Sequence, residues 1–198
     1  MAPRSEEQLE ELRRERSQDI IRAALKLFAE NGVTNTSVSQ IAKEADISKG
    51  LIYNYFDGKH QLLQKVIQEG MKKMPMDVTA PTNEKEAKRQ LEYILDKMFK
   101  SAKADRIFWK FYAELLLQLI RDETLAAEFE EEFEQYITLF VNLLARMGDP
   151  QPEIRGRMLT AQLDGILLHG LYFKDYPLES IFEHLKQQYL SHENPDTK

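Results

Sequence analysis

A chain of 198 residues with 42% hydrophobic content holds enough apolar material for one sizeable core or two small ones, and its lack of cysteine removes disulfides, thiolate metal sites and thiol catalysis together. The net charge of −6 is unevenly spread: Met1 to Lys73 carries twelve Lys and Arg against eleven Asp and Glu, and the remainder fifteen against twenty-two. The resulting balance of +1 and −7 leaves the amino-terminal third free to carry a basic face that the total conceals. No apolar run approaches the roughly 18 residues of a spanning helix. The charged start "MAPRSEEQLEELRRERSQ" is unlike a signal peptide, so no membrane association and a cytoplasmic location are expected.

Apolar residues recur at intervals of three and four throughout, without strand-like alternation, which predicts an all-α fold. Ser5 with Gln8 forms a capping box that opens a helix running to about Asn31, with Gly32 as its stop. Its first turns are charged; an apolar stripe begins at Ile20 and continues through Ala24 and Phe28. Thr36 or Ser37 caps a second helix to about Ala45, and Ser48 a third from Lys49 to about Phe56. Both are too short to stand alone and must be held by packing of Val38, Ile41, Ala42, Ile47, Leu51 and Phe56. A fourth helix runs from Lys59 to about Lys73. Pro75 and Pro81 then break the pattern, which predicts a domain over 1–74, a linker at 75–82 and a larger domain over 83–198. In the latter, helices are predicted at about 83–103, 105–120, 122–147, 151–173 and 178–191. The acidic run Glu130 to Glu134 reads as the solvated face of one of them.

Two short helices separated by "EADIS" have the spacing of a helix-turn-helix, whose second helix enters the major groove of DNA. Leu51 and Phe56 anchor that helix inward, leaving Lys49, Gly50, Tyr53 and Asn54 outside. Lys49 can reach guanine or phosphate, and Asn54 can pair with adenine. Gly50 allows close backbone approach, while Tyr53 and Tyr55 offer hydroxyls to phosphate. Arg4, Arg13, Arg14 and Arg16 precede this unit, but the acids mixed among them favour a solvated, self-paired helix.

"ALKLFAENGVTNTSVSQIAKEADISKGLIYNYFDGKHQLLQKVI", Ala24 to Ile67, resembles the DNA-binding domain of the TetR family of bacterial transcriptional regulators. The likeness covers about a quarter of the chain, including "LFAENG", the Thr-Ser opening of the second helix, "IAKEADISKG", the Tyr-x-Tyr-Phe end of the third, and Lys59 before "QLL". It implies contact with double-stranded DNA by Lys49, Gly50, Tyr53, Asn54 and Tyr55. Thr36 or Ser37 would donate to phosphate, a role that plain helix capping explains equally well. Ser39 and Gln40 stand where the second helix can reach the groove or simply face solvent. Lys59 at a helix start opposes the dipole and makes sense beside a phosphate. Gly58 departs from the small polar residue common there.

The resemblance also places an effector pocket and a dimer interface in the larger domain. Trp109, Tyr112 and Leu116 share one helix face; Phe140 lies on a stripe of the next helix, and Gln162 with Ile166 on the one after. The resemblance implies that together they wall a cavity for a small, largely apolar effector, although a solid core is the simpler reading of any one of them. Leu167 and Leu171, with Ile181, Leu185 and Tyr189 on the last helix, are the expected homodimer interface, with Gly165 and Gly170 permitting close approach. His60, His169, His184 and His192 lack metal-ligand spacing, and no phosphate loop or nucleophile elbow is present. The expectation is therefore a non-enzymatic, cofactor-free regulator, most simply a repressor on a palindromic operator. The alternative is an all-helical ligand-binding or interaction protein that does not meet DNA.

Overall fold

The computed structural model describes residues 5–72 and 80–191, and within them the only regular elements are helices. In chain order these are α1 (Glu6–Asn35), α2 (Val38–Glu44), α3 (Lys49–Ile52), α4 (Lys59–Met71), α5 (Glu84–Ala104), α6 (Arg106–Arg121), α7 (Glu123–Arg146), α8 (Pro152–Tyr172) and α9 (Leu178–Leu190). Arg4, residues 75–79 of the expected linker and His192 lie outside the described residues. Two compact units result: Met1–Met71 with Lys110–Gln118, and Lys72–Trp109 with Leu119–Lys198. The division therefore differs from the expected one in that the middle of α6 packs with the first unit.

In the first unit, Ser5 and Gln8 close the capping box at the start of α1, whose side chains stay largely in solvent until Ile20. Gly32 at φ 77° interrupts the helical path before Asn35, a conformation that favours glycine. Ile20, Ala24 and Phe28 form the inner face of α1, and Ile41, Ile52, Phe56, Leu62 and Val66 complete the core from α2, the α3 segment and α4. Phe111 of α6 stacks on Phe28 at 6.2 Å between ring centroids, and Gln118 accepts the Thr34 hydroxyl at 3.1 Å.

The turn between α2 and α3 has a specific cause. Ile47 N–H donates to the Ala42 carbonyl at 3.0 Å and Asp46 N–H to that of Lys43 at 3.2 Å, while Asp46 takes φ 52°. These two bonds with a left-handed residue are a Schellman termination, here built on aspartate in place of glycine. Ser48 then caps α3 by accepting from Leu51 N–H at 3.2 Å. The helix is shorter than the expected Lys49 to Phe56: after Ile52 the chain tightens, Asn54 and Tyr55 N–H donating to Leu51 and Ile52 at 3.1 and 2.9 Å. Such three-residue bonds wind more tightly than an α-helix and turn Phe56 into the core.

In the second unit, α7 packs along α8, and α5 packs against both α7 and α9. Asn83 and Asp122 cap α5 and α7, and Gly148 ends α7 in the same Schellman pattern, with Asp149 N–H donating to Leu144 at 3.0 Å. Leu91, Ile94 and Leu95 of α5 are buried, as are Phe140 and Leu143 of α7, Leu159 and Leu163 of α8 and Phe182 of α9, which together supply the core. Lys186 joins α9 to Asp96 of α5 at 2.9 Å and to Glu183 at 2.6 Å, hydrogen bonds that raise its pKa. Arg155 bridges Asp149 at 3.1 Å and lies over the Tyr189 ring.

The α7–α8 crossing has no slack at Gly156. A Cβ there would stand 2.6 Å from Val141 Cγ2 and 3.0 Å from Val141 N, and the latter is backbone that cannot rotate away. Gly156→Ala is therefore expected to destabilise by about 1–3 kcal/mol through overpacking, against the roughly 1 kcal/mol that alanine contributes in helix propensity. Urea unfolding measures the balance; an unchanged or raised midpoint would mean the helices separate freely.

Candidate nucleic-acid interface

The α3 segment owes its exposed surface to the capping and tightening just described, which turn Ile52 and Phe56 inward and leave Lys49, Gly50, Tyr53 and Asn54 outside. Tyr53 is 50% exposed, a high value for a large ring in a packed unit. A Cβ at Gly50 would meet nothing within 4 Å, so internal packing does not call for a glycine there. Beside these residues a shallow groove of 460 Å³ runs between α2 and α3, bordered by Ser39, Lys43, Asp46, Ser48 and Lys49. Tyr55 is half-buried. The Arg13 guanidinium sits 5.9 Å from its ring centroid and donates to the Asn54 carbonyl at 3.5 Å, which brings the exposed part of α1 to the recognition turn.

Three residues expected at phosphate have other employment. Thr36 is 1% exposed, and its hydroxyl donates to the Gly32 carbonyl at 2.8 Å with Leu27 O at 3.2 Å; burial removes it from any DNA surface. Ser37 is exposed and forms the capping box of α2 with Gln40, which occupies both side chains. Lys59 donates from Nζ to the carbonyls of Val33 and Thr34 at 2.9 and 3.2 Å. Its ammonium thus answers carbonyls at the end of α1, where positive charge is favourable, and the partial charge at the start of α4 is outweighed.

The residues expected to wall an effector pocket divide between the two units. Trp109 is buried in the second unit and donates from Nε1 to Ser101 at 3.2 Å, whereas Tyr112 and Leu116 belong to the α6 segment of the first unit. Phe140 is fully buried, edge-on to Tyr136, whose hydroxyl donates to Met98 Sδ at 3.2 Å; burial, then the charge of Asp164, pushes the Tyr136 pKa up. Gln162 is no isolated polar group: it accepts the Tyr189 hydroxyl at 2.7 Å and donates to Gln188 at 3.4 Å, joining α8 to α9. Ile166 is buried on α8. Among the expected interface residues, Leu167, Leu185 and Tyr189 are likewise buried within this chain, and Leu171 and Ile181 are half-buried. Apolar residues that α8 leaves in solvent are instead Ile154, Met158, Leu168 and Tyr172.

Among the described residues no helix is long and apolar enough to cross a membrane, and no three His, Cys, Asp or Glu converge to hold a metal. The model of bacterial regulatory proteins of the tetR family matches residues 20–66, and that of the tetracyclin repressor-like C-terminal domain residues 88–186. A relative from Vibrio vulnificus (strain YJ016), the HTH-type transcriptional regulator BetI, is 30% identical over 169 residues, 78% of this chain and 80% of its own. The chain belongs to the TetR family. It is a DNA-binding transcriptional regulator of the helix-turn-helix type. Two solved structures share the fold: a putative regulator from Saccharomonospora viridis in complex with choline, with TM-score 0.73 at 15% identity over 90% of this chain and 97% of its own, and SmeT from Stenotrophomonas maltophilia, with 0.70 at 19% over 88% of each.

For this regulator the bonds of Lys59 give it a structural role. Lys59→Ala removes a charged donor from two carbonyls and is expected to lower stability by roughly 1–3 kcal/mol. In the folded protein the salt dependence of binding to random DNA should stay as in the wild type. A stable variant whose salt slope falls by about one unit would return Lys59 to the phosphate backbone.

Proposed function

We propose that the regulator is a homodimeric repressor that holds a palindromic operator through α3 and is released by a small effector with a largely apolar body. The carrying observation is the outward cluster of Lys49, Gly50, Tyr53 and Asn54, none of which the core needs. Lys49 and Asn54 reach base edges, Gly50 admits a DNA strand closely, and Tyr53, Tyr55 and Ser39 position the backbone. The cytoplasm is the compartment in which such a protein meets its operator, and it works by binding alone, without enzymatic chemistry. SmeT is described as the repressor of a multidrug efflux pump, and the Saccharomonospora regulator holds choline. Both fit a repressor of this fold answering to a small molecule.

The dimer reading moves to the outer face of α8. Ile154, Met158, Leu168 and Tyr172 are 58, 49, 41 and 79% exposed and recur with Ala161 and Gly165 at steps of three and four, one continuous stripe. A Cβ at Gly165 would meet nothing in this chain, which leaves room for a second backbone. Two copies related by a two-fold axis can pack such a self-complementary stripe, and their recognition segments then address two half-sites.

Selection from a random duplex pool should return a palindrome whose half-site centres lie about 10 base pairs or a multiple apart. Affinity for it should fall steeply with salt. Asn54→Ala should cost roughly 1–3 kcal/mol, mainly at one base pair per half-site. Leu168→Glu should sediment as a folded monomer with operator affinity reduced by at least about a hundredfold, since bivalent attachment is lost. A unique non-palindromic site, or a Leu168→Glu dimer with full affinity, would refute the respective part.

A further inference from the structure

A recess of 250 Å³ lies where the end of α5, the start of α6 and the connection from α8 to α9 meet, all within the second unit. It is room for about eight waters at roughly 30 Å³ each, or a ligand of similar bulk. Its walls combine two chemistries. Trp109, Leu167, Leu171 and Leu178 supply apolar surface, and Lys103, Arg106 and Lys174 stand around it. No acidic side chain lines it. From this we infer that the recess binds a small amphipathic carboxylate, its head among the three cations and its body against Trp109.

Arg106 is held at the recess by backbone. It donates from Nη1 to the Gly170 carbonyl at 3.2 Å and from Nη2 to that of Leu171 at 3.1 Å. Those carbonyls belong to the last turn of α8, whose partial negative charge would repel an anion. The guanidinium covers them and remains positive; with five N–H groups, two such bonds leave others for a carboxylate. Lys103 is paired with Glu179 only at 3.9 Å, with both groups well exposed, so the pair is screened and little of the cation is neutralised. The neighbouring rings His169, Phe173 and Tyr176 contact one another and, taken alone, would suit a cation. Three positive side chains at the same recess make a cationic guest unfavourable. Trp109 is held by its bond to Ser101, so the apolar wall is set before a ligand arrives.

The consequence for DNA rests on the release mechanism proposed above; the site itself does not. Trp109 is the chain's single tryptophan, so its emission reports on the recess without a label. The full chain is titrated with octanoate and with phenylacetate, an acyl chain and a single ring, and with 1-octanol and octyltrimethylammonium as neutral and cationic counterparts. At least one carboxylate should change the emission saturably, and bind at least about tenfold more tightly than octanol or the ammonium. Lys174→Gln, an exposed substitution that leaves the core intact, should weaken that carboxylate at least about threefold, and Arg106→Gln, where folded by circular dichroism, at least about tenfold. No saturable response to either carboxylate, an equal response to octanol, a preference for the ammonium, or a Lys174→Gln protein with unchanged affinity would each overturn the inference. Operator affinity is measured in parallel: a carboxylate that binds with the stated preference but leaves the operator occupied upholds the site and refutes release through it.

Discussion

The recognition segment is held in place by the end of α1. Gly32 leaves the helical path at φ 77°, and the carbonyls around the break lose the partners that a continuing helix would supply. Thr36, buried between α1 and α2, gives its hydroxyl to Gly32 with Leu27 close by, and Lys59, the first residue of α4, gives its ammonium to Val33 and Thr34. Unsatisfied, such groups would cost about 1–3 kcal/mol each. Their satisfaction by residues of the following elements fixes where α2 begins and α4 starts. The four residues of α3 have no stability of their own and take their position from those two neighbours.

The same end of α1 receives the middle of α6. Phe111 stacks on Phe28, Gln118 accepts from Thr34, and a Cβ at Gly32 would stand 3.6 Å from Glu114. One continuous helix thus supplies Lys110–Gln118 to the DNA-binding unit while its first turn, with Arg106 and Trp109, belongs to the other.

What the sequence made legible is what local chemistry decides. The capping box at Ser5, a cap at Thr36 or Ser37, the cap at Ser48 and the apolar stripes set the order and near-boundaries of the helices, and the structure puts the second cap on Ser37. Legibility failed where the deciding partner is distant. The carbonyls that Lys59 answers lie 25 and 26 residues away, so only its misfit with the α4 dipole was visible, and a phosphate filled the gap. Asp46 at positive φ was missed because aspartate is an uncommon occupant of that position, although the turn had been placed. On α8 apolar residues lie on both the inner and the outer side, so periodicity could not tell Leu167, in the core, from Leu168 beside it, in solvent.

Charge shows the same limit at a larger scale. The chain beyond Lys73 carries a balance of −7, yet the recess at the end of α8 is lined by Lys103, Arg106 and Lys174 and by no acid. Glu179 reaches Lys103 only at 3.9 Å, while Glu130, Glu131 and Glu134 stand in solvent along α7, where Glu134 pairs with Arg157. Exposed charges separated by more than about 8–10 Å are largely screened at physiological salt. The field at a site is therefore set by the few side chains that border it, and folding sorts those few from positions as far apart as 103 and 174. A near-neutral total over the first 73 residues likewise says little about the groove beside α3, where Lys43 and Lys49 face Asp46 alone. Net charge bounds what a domain can do in bulk, whereas the ligand it accepts depends on which of its charges the fold brings to one place.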